Sequence, residues 1–204
     1  MDTTEKHFED LHEIRSLMER SGRFISLSGL SGICAGVFAL AGAFITWRHF
    51  GFGTLRSTLV FRTANENIWF LVEVAGSVLI LSFISGFFFT TRNAKKKGEK
   101  IWDATSRFLL INLAIPLAVG GIFRLILLGH SPELIASAML IFYGLSLLNA
   151  GKYTLKDIRY LGISEIILGL ICGFNTGYGL LFWAIGFGAL HVVYGTVMYF
   201  KYER

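Results

Sequence analysis

The sequence is poor in cysteine, proline and charge. Two cysteines, two prolines and 16% charged residues are spread over 204 positions, and no polar stretch is long enough for a separate water-soluble domain. Cys34 and Cys172 lie inside apolar runs, with no CxxC spacing and no second ligand beside either. A disulfide framework is therefore excluded, and both read as buried thiols packing as small hydrophobes. The five histidines, His7, His12, His49, His130 and His191, are too dispersed for a metal site, and no cofactor motif is present. His12-Glu13 begins like a zincin helix, but Ser16 stands where the second histidine belongs. Gly144…Gly151-Lys152 has the wrong spacing for a phosphate loop.

What remains is apolar. Hydrophobic residues make up 53% of the chain, aromatics 15%, and glycine 23 positions. A helix needs roughly 20 apolar residues to cross the hydrocarbon core of a bilayer. Six such runs are expected at about 24–47, 68–91, 105–128, 133–150, 159–174 and 178–200, the fifth being short. Lipid cannot satisfy open backbone groups, so the fold class is all-α. We expect a polytopic membrane protein of six transmembrane helices arranged as three hairpins. Residues 1–23 form a cytoplasmic segment and 24–204 one transmembrane domain. The mixed charge of 1–23 and the length of the first run argue against a cleaved signal peptide.

The formal charge of +5 raises nucleic acid as a partner, but the placement of the basic residues excludes it. Lys6, Arg15, Arg20 and Arg23 precede the first run, Arg92, Lys95, Lys96, Lys97 and Lys100 follow the second, Lys152, Lys156 and Arg159 follow the fourth, and Lys201 and Arg204 end the chain. All fall on one side of a six-span topology. The positive-inside rule then puts both termini in the cytoplasm. Lys95, Lys96 and Lys97 are candidates for anionic lipid headgroups.

Residues 3–20 predict an amphipathic helix, with Phe8, Leu11, Ile14, Leu17 and Met18 opposed by Glu5, Glu9, Asp10, Glu13 and Glu19. Its acids suit a protein surface, this chain's own, a second copy in a homo-oligomer or an unknown partner, better than an anionic bilayer. Ser28, Gly32 and Gly36 fall four apart, as do Ala35, Ala39 and Ala43. Such ladders let helix backbones approach closely. The segment 48–66, with three arginines, is the only long connection.

Gly144 and Gly151 in the fourth run share a spacing with Gly162 and Gly169 in the fifth and Gly188 and Gly195 in the sixth. Together with Gly121…Pro132, these glycine-punctuated hairpins resemble those of the HdeD-like short-repeat bacterial membrane proteins, over the last hundred residues. The resemblance implies a six-span bacterial inner-membrane protein and assigns no catalytic residues.

Ionisable groups inside spans normally face the bundle interior and mark pairing or function. Helix rise sorts them into two layers. Toward the cytoplasm are Arg107, Asn112, Asn149, Glu165 and His191. Toward the outside are Glu73, Arg124, His130 and Glu133. Glu165 is placed to meet Arg107 or His191, and Glu73 to meet Arg124. Three functions are compatible with this pattern. The first is a non-catalytic scaffold or sensor in which these residues are interhelical pairs. The second is a small proton or ion channel or transporter using the Glu/His/Asn layer. Third, Gly29-Leu30-Ser31-Gly32 has the form of an intramembrane serine nucleophile and His191 is a base at similar depth, but the serine is on the wrong span for a rhomboid-type protease and no oxyanion motif accompanies it. The chain is therefore read as not an enzyme.

Overall fold

The computed structural model describes residues 27–50, 64–98 and 101–204, with side chains from 69 onward in the second stretch. The amphipathic helix expected over 3–20 and most of the 48–66 connection lie outside the described residues. Every described element is helical. Helix α1 is Gly29–Phe50, α2 Ala64–Lys97, α3 Ala104–His130, α4 Ile135–Ala150 and α5 Asp157–Phe174. The last rod joins α6 (Gly179–Trp183), a π-helical segment (Ala184–Leu190) and α7 (His191–Tyr202).

Five stretches among the described residues are long and apolar enough to cross a membrane: Gly29–Phe50, Trp69–Lys97, Ala104–His130, Pro132–Ala150 and Thr176–Tyr202. Helix α5 stands apart from the expected six because its 18 residues include Asp157, Arg159 and Glu165. Large apolar side chains cover the outer surface, with Leu79 70%, Phe83 71% and Ile122 63% exposed.

Local sequence accounts for the helix ends. Asp103 caps α3: its carboxylate accepts from the Ser106 N–H at 2.7 Å while Ser106 Oγ accepts from the Asp103 N–H at 2.9 Å. Pro132 opens a one-turn 3-10 helix, Pro132–Leu134, that carries α3 into α4. Pro116 sits within α3, where its missing N–H leaves the Asn112 carbonyl without its usual donor; the helix continues through it.

Glycines decide which helices meet. Helix α1 lies against the last rod, where a Cβ on Gly195 would fall 2.6 Å from Ile33 N and 2.7 Å from Gly29 O. A Cβ on Gly36 would meet Gly188 O at 2.7 Å, and one on Gly32 would meet Gly195 Cα at 3.1 Å. Helices α4 and α5 form the other close pair, through Gly144 and Gly162, where a Cβ on Gly162 would fall 2.8 Å from Gly144 O. Gly151 in the α4–α5 turn is filled against by the Arg159 side chain. The hairpins α1–α2 and α3–α4 pack as expected, whereas α5 and the last rod touch only lightly. The glycines of the third expected hairpin face other partners: those of α5 face α4, and those of the rod face α1. Helices α2 and α3 flank the assembly, α2 on α1 and α3 on α4.

One end of the bundle is tied by polar contacts. The Glu203 carboxylate accepts from the Gly29 N–H and, at 3.1 Å, from Ser28 Oγ, placing an anion on the N-terminus of α1. Asn93 Nδ2 donates to Leu27 O at 3.5 Å, which brings the end of α2 to the same place. Asp157 accepts from Lys201 Nζ at 2.9 Å and from the Tyr202 hydroxyl at 2.5 Å, clasping α5 to α7. Phe108 stacks on Tyr153 at 6.0 Å, adding the start of α3 and the end of α4. Arg92, Lys95, Lys96, Lys97, Lys152, Lys156, Arg159, Lys201 and Arg204 therefore share one end of the molecule.

Two predictions follow from these contacts. Gly195→Val should destabilise the protein by about 1–3 kcal/mol or more, because its side chain meets α1 backbone that cannot turn aside. Gly76→Ala, with nothing within 4 Å of the added Cβ, should be neutral or slightly stabilising. Melting temperatures in detergent compare the two. At the clasp, burial pushes the Asp157 carboxyl up, but the bonds from Tyr202 and Lys201 and the Lys201 charge outweigh it and hold it below the usual carboxylate range. Its contribution is thus full above the ordinary carboxylate pKa of about 4 and fades as pH falls through the lower folded value. Acidification should lower the wild-type melting temperature more steeply than that of Asp157→Asn, measured side by side.

Candidate functional site

Depth separates the ionisable residues. Hydrocarbon spans about 30 Å, or some 20 helical residues. Glu73 lies about 33 Å from Lys95 along α2, and Arg124 about 30 Å from the start of α3, so both lie at least a hydrocarbon thickness from the basic end. Glu73 is exposed and Arg124 half-buried, on helices that are not a packed pair, and neither has a charged partner among the described residues. His130 Nδ1 donates to Ile126 O at 3.0 Å on its own helix, and Glu133 sits half-buried in the 3-10 turn. The expected outer layer is thus a set of separate groups toward the end of the bundle opposite the basic one.

The inner layer contracts in the same way. Arg107 lies within one turn of the α3 start, exposed, on a helix that packs against α4 rather than α5. It does not meet Glu165. Asn112 donates its amide to Phe108 O at 2.9 Å, four residues back. Asn149 is half-buried at the end of α4, where its carbonyl accepts from the Lys152 N–H. Only Glu165 and His191 come together.

Their meeting depends on the π-helical segment. It widens the turn before His191, a distortion that recurs at functional sites. His191 Nδ1 lies 2.9 Å from Gly186 O, five residues back, and a carbonyl can only accept, so Nδ1 carries the hydrogen. In neutral imidazole, Nε2 is then the acceptor, and the Tyr143 hydroxyl, 2.7 Å away, donates to it. Tyr143 comes from α4 and Glu165 from α5, so three elements contribute to the row.

Glu165 is the unusual member. It is 0% exposed, and neither carboxyl oxygen has a hydrogen-bond partner. Its Oε1 lies 3.5 Å from His191 Nδ1, within ion-pair range but beyond a good hydrogen bond. Gly186 makes the room, since a Cβ there would fall 2.6 Å from Glu165 Oε2. Leu140 and Leu168 border the same space, which is otherwise apolar. The rings of Phe187, Tyr143 and His191 pack on one another, with Tyr143 and Phe187 centroids 5.1 Å apart. Along their helices the three groups lie about 12–16 Å from the basic end, near mid-depth of a bilayer.

Sequence reasoning did not find Tyr143 or the Gly186 carbonyl. A phenol within an apolar run signals a hydroxyl needing a partner, and Gly186-x-Gly188 signals an irregular turn.

The other expected groupings fall differently. Ser31 Oγ donates to Ser28 O at 2.5 Å, and both ring nitrogens of His191 have other partners, so Ser31 and His191 are not a hydrogen-bonded dyad. Ser28, Gly32, Gly36, Gly188 and Gly195 lie in the α1–rod contact, and Gly144 and Gly151 in the α4–α5 contact. No cluster of three metal-ligating side chains occurs among the described residues.

Tyr143→Phe tests the row without changing its shape. Losing the hydroxyl leaves buried Nε2 unpaired, which costs about 1–3 kcal/mol. A lower melting temperature and a shifted imidazole ¹⁵N resonance of His191 are expected. Unchanged ¹⁵N shifts would contradict the assigned bond.

No family model, no curated protein and no solved structure matches this chain, so the reading of Tyr143, His191 and Glu165 rests on their geometry alone.

Proposed function

We propose that the protein is a six-span membrane protein that moves protons, alone or coupled to a small solute or ion, through a mid-membrane site made of Glu165, His191 and Tyr143. One observation carries the reading: a fully buried carboxyl whose two oxygens have no hydrogen bond and which lies 3.5 Å from an imidazole nitrogen. A lone carboxylate in an apolar interior is too costly to persist. Two arrangements avoid that cost, a protonated carboxyl beside neutral imidazole and a carboxylate beside imidazolium. They differ in where one proton sits, on Glu165 or on His191 Nε2, since Nδ1 already carries the hydrogen held by Gly186 O. In the second the Tyr143 hydroxyl turns to accept from Nε2–H, and the Glu165–His191 pair is neutral in both. A site that holds one proton in two places is what a relay needs, and intramembrane Glu and His are the usual members of such relays.

In this reading α5 is the sixth span. Its central charge, Glu165, is covered by α4 and the π segment and does not face lipid. The shared basic end faces the cytoplasm by the positive-inside rule, with the C-terminus and the start of α1 on that side. A bacterial inner membrane, with the glycine-hairpin resemblance to HdeD-like proteins, fits this arrangement and adds no residue roles.

The scaffold reading has less support in the geometry. Its glycine ridges are occupied within the chain: those of α1 by the last rod and those of α4 by α5.

Proteoliposomes under an imposed pH gradient provide the test. Wild type should acidify or alkalinise the lumen faster than empty vesicles. Glu165→Gln keeps the side-chain volume but cannot exchange the proton, and should reduce flux to background with little change in melting temperature. Arg107→Gln, at the interface, should leave flux unchanged. Wild-type flux at background, or full flux in Glu165→Gln, would overturn the proposal.

A further inference from the structure

Helix α2 carries a groove far from the Glu165 site and unused by it. The groove, about 760 Å³, runs along the last four turns of α2 and has two halves. Phe83, Ile84, Phe87 and Phe88 line the deeper half, each more than half exposed. Arg92, Lys95 and Lys96 line the half at the basic end, below Thr91. Positions 84, 87, 88, 91, 92 and 95 are each three or four residues from others of the set, so they form one stripe that changes from apolar to cationic along its length. None of the three cations has an anionic partner among the described residues. Asn93 and Ala94, on the opposite side, are buried, and Asn93 is bonded to Leu27 O. Lys97, expected from sequence to join the lysine cluster, does not line the groove; Arg92 takes its place.

We propose that this groove is a binding site for an anionic phospholipid, with the phosphate on Arg92, Lys95 and Lys96 and an acyl chain along Phe83, Ile84, Phe87 and Phe88. Length is the first argument. Phe83 to Lys96 spans about 20 Å of helix, which matches one leaflet, about 15 Å of hydrocarbon plus the headgroup layer. The order of chemistry is the second. Aromatic and aliphatic surface lies where acyl chains are, and unpaired cations lie where phosphates are, with Arg92 offering a planar fork to phosphate oxygens. The acidic segment 3–20 complements the cations, but its five carboxylates cannot follow the groove to the depth of Phe83, so a lipid fits the whole groove and the segment does not.

Native mass spectrometry of the full chain, released from micelles containing equal phosphatidylglycerol and phosphatidylcholine, reads the retained lipid directly. Wild type should retain phosphatidylglycerol in preference. The triple variant Arg92→Gln/Lys95→Gln/Lys96→Gln should lose that preference, by roughly fivefold per cation removed. Lys152→Gln/Lys156→Gln/Arg159→Gln removes the same charge from the same end and should keep it. Ile84→Trp, which fills the apolar half and spares the cations, should lower retention of both lipids. Melting temperatures of all variants check that the fold is intact. Equal loss in both triple variants would mean diffuse attraction and overturn the site. Unchanged retention in Ile84→Trp would overturn the acyl half, and phosphatidylglycerol bound only after removal of residues 3–20 would give the groove to that segment.

Discussion

The contact between α1 and the last rod is the constraint from which the rest of the arrangement follows. Where Gly29 and Gly32 face Gly195, backbone lies on backbone, and at Gly36 and Gly188 only the Val192 and Leu40 side chains enter the contact. In lipid, helices gain nothing from leaving water, so close van der Waals approach and polar bonds must hold them together. The contact also fixes axial register. It places the carboxylate of Glu203 over the first N–H groups of α1 and sets the depth of His191 on the rod.

A second glycine contact, between α4 and α5, does the complementary work. It brings Tyr143 and Glu165 onto facing helices at the depth that the first contact gives His191. The row therefore depends on two independently packed pairs, joined by α6, the π segment and the Asp157 clasp. Between α5 and the rod, Gly186 leaves room for the carboxyl that any side chain there would take. The irregular π turn adds a backbone acceptor that a regular helix would use internally. Polar chemistry inside the bundle is thus confined to where the glycine-packed pairs meet.

Helices α2 and α3 play a different part. Each packs on a single neighbour and presents most of its surface outward, apolar along the length and basic at one end of α2. The proposed proton site and the proposed lipid site accordingly use opposite properties of the fold, a covered interior and an uncovered flank.

The sequence by itself determined the all-helical class, the approximate helix limits and the common end of the basic residues, because these depend on period, run length and charge count along one chain. It also pointed to Glu165 and His191, since a buried charge is conspicuous in an apolar run. It did not determine which of the nine polar candidates meet. Arg107, Glu73 and Arg124 fell away because depth and helix neighbours, not spacing, decide contact. Nor did it tell which glycine ladder faces which: the ladder of the rod faces α1 rather than its hairpin partner α5, because separation along the chain does not set distance in a folded bundle. Tyr143 and Gly186 belong to tertiary structure alone, because each takes its meaning from a neighbour that lies far away in the chain, whereas on α2 the sequence pointed to Lys95 and Lys96 and the structure added Arg92 and the uncovered apolar stripe beside them.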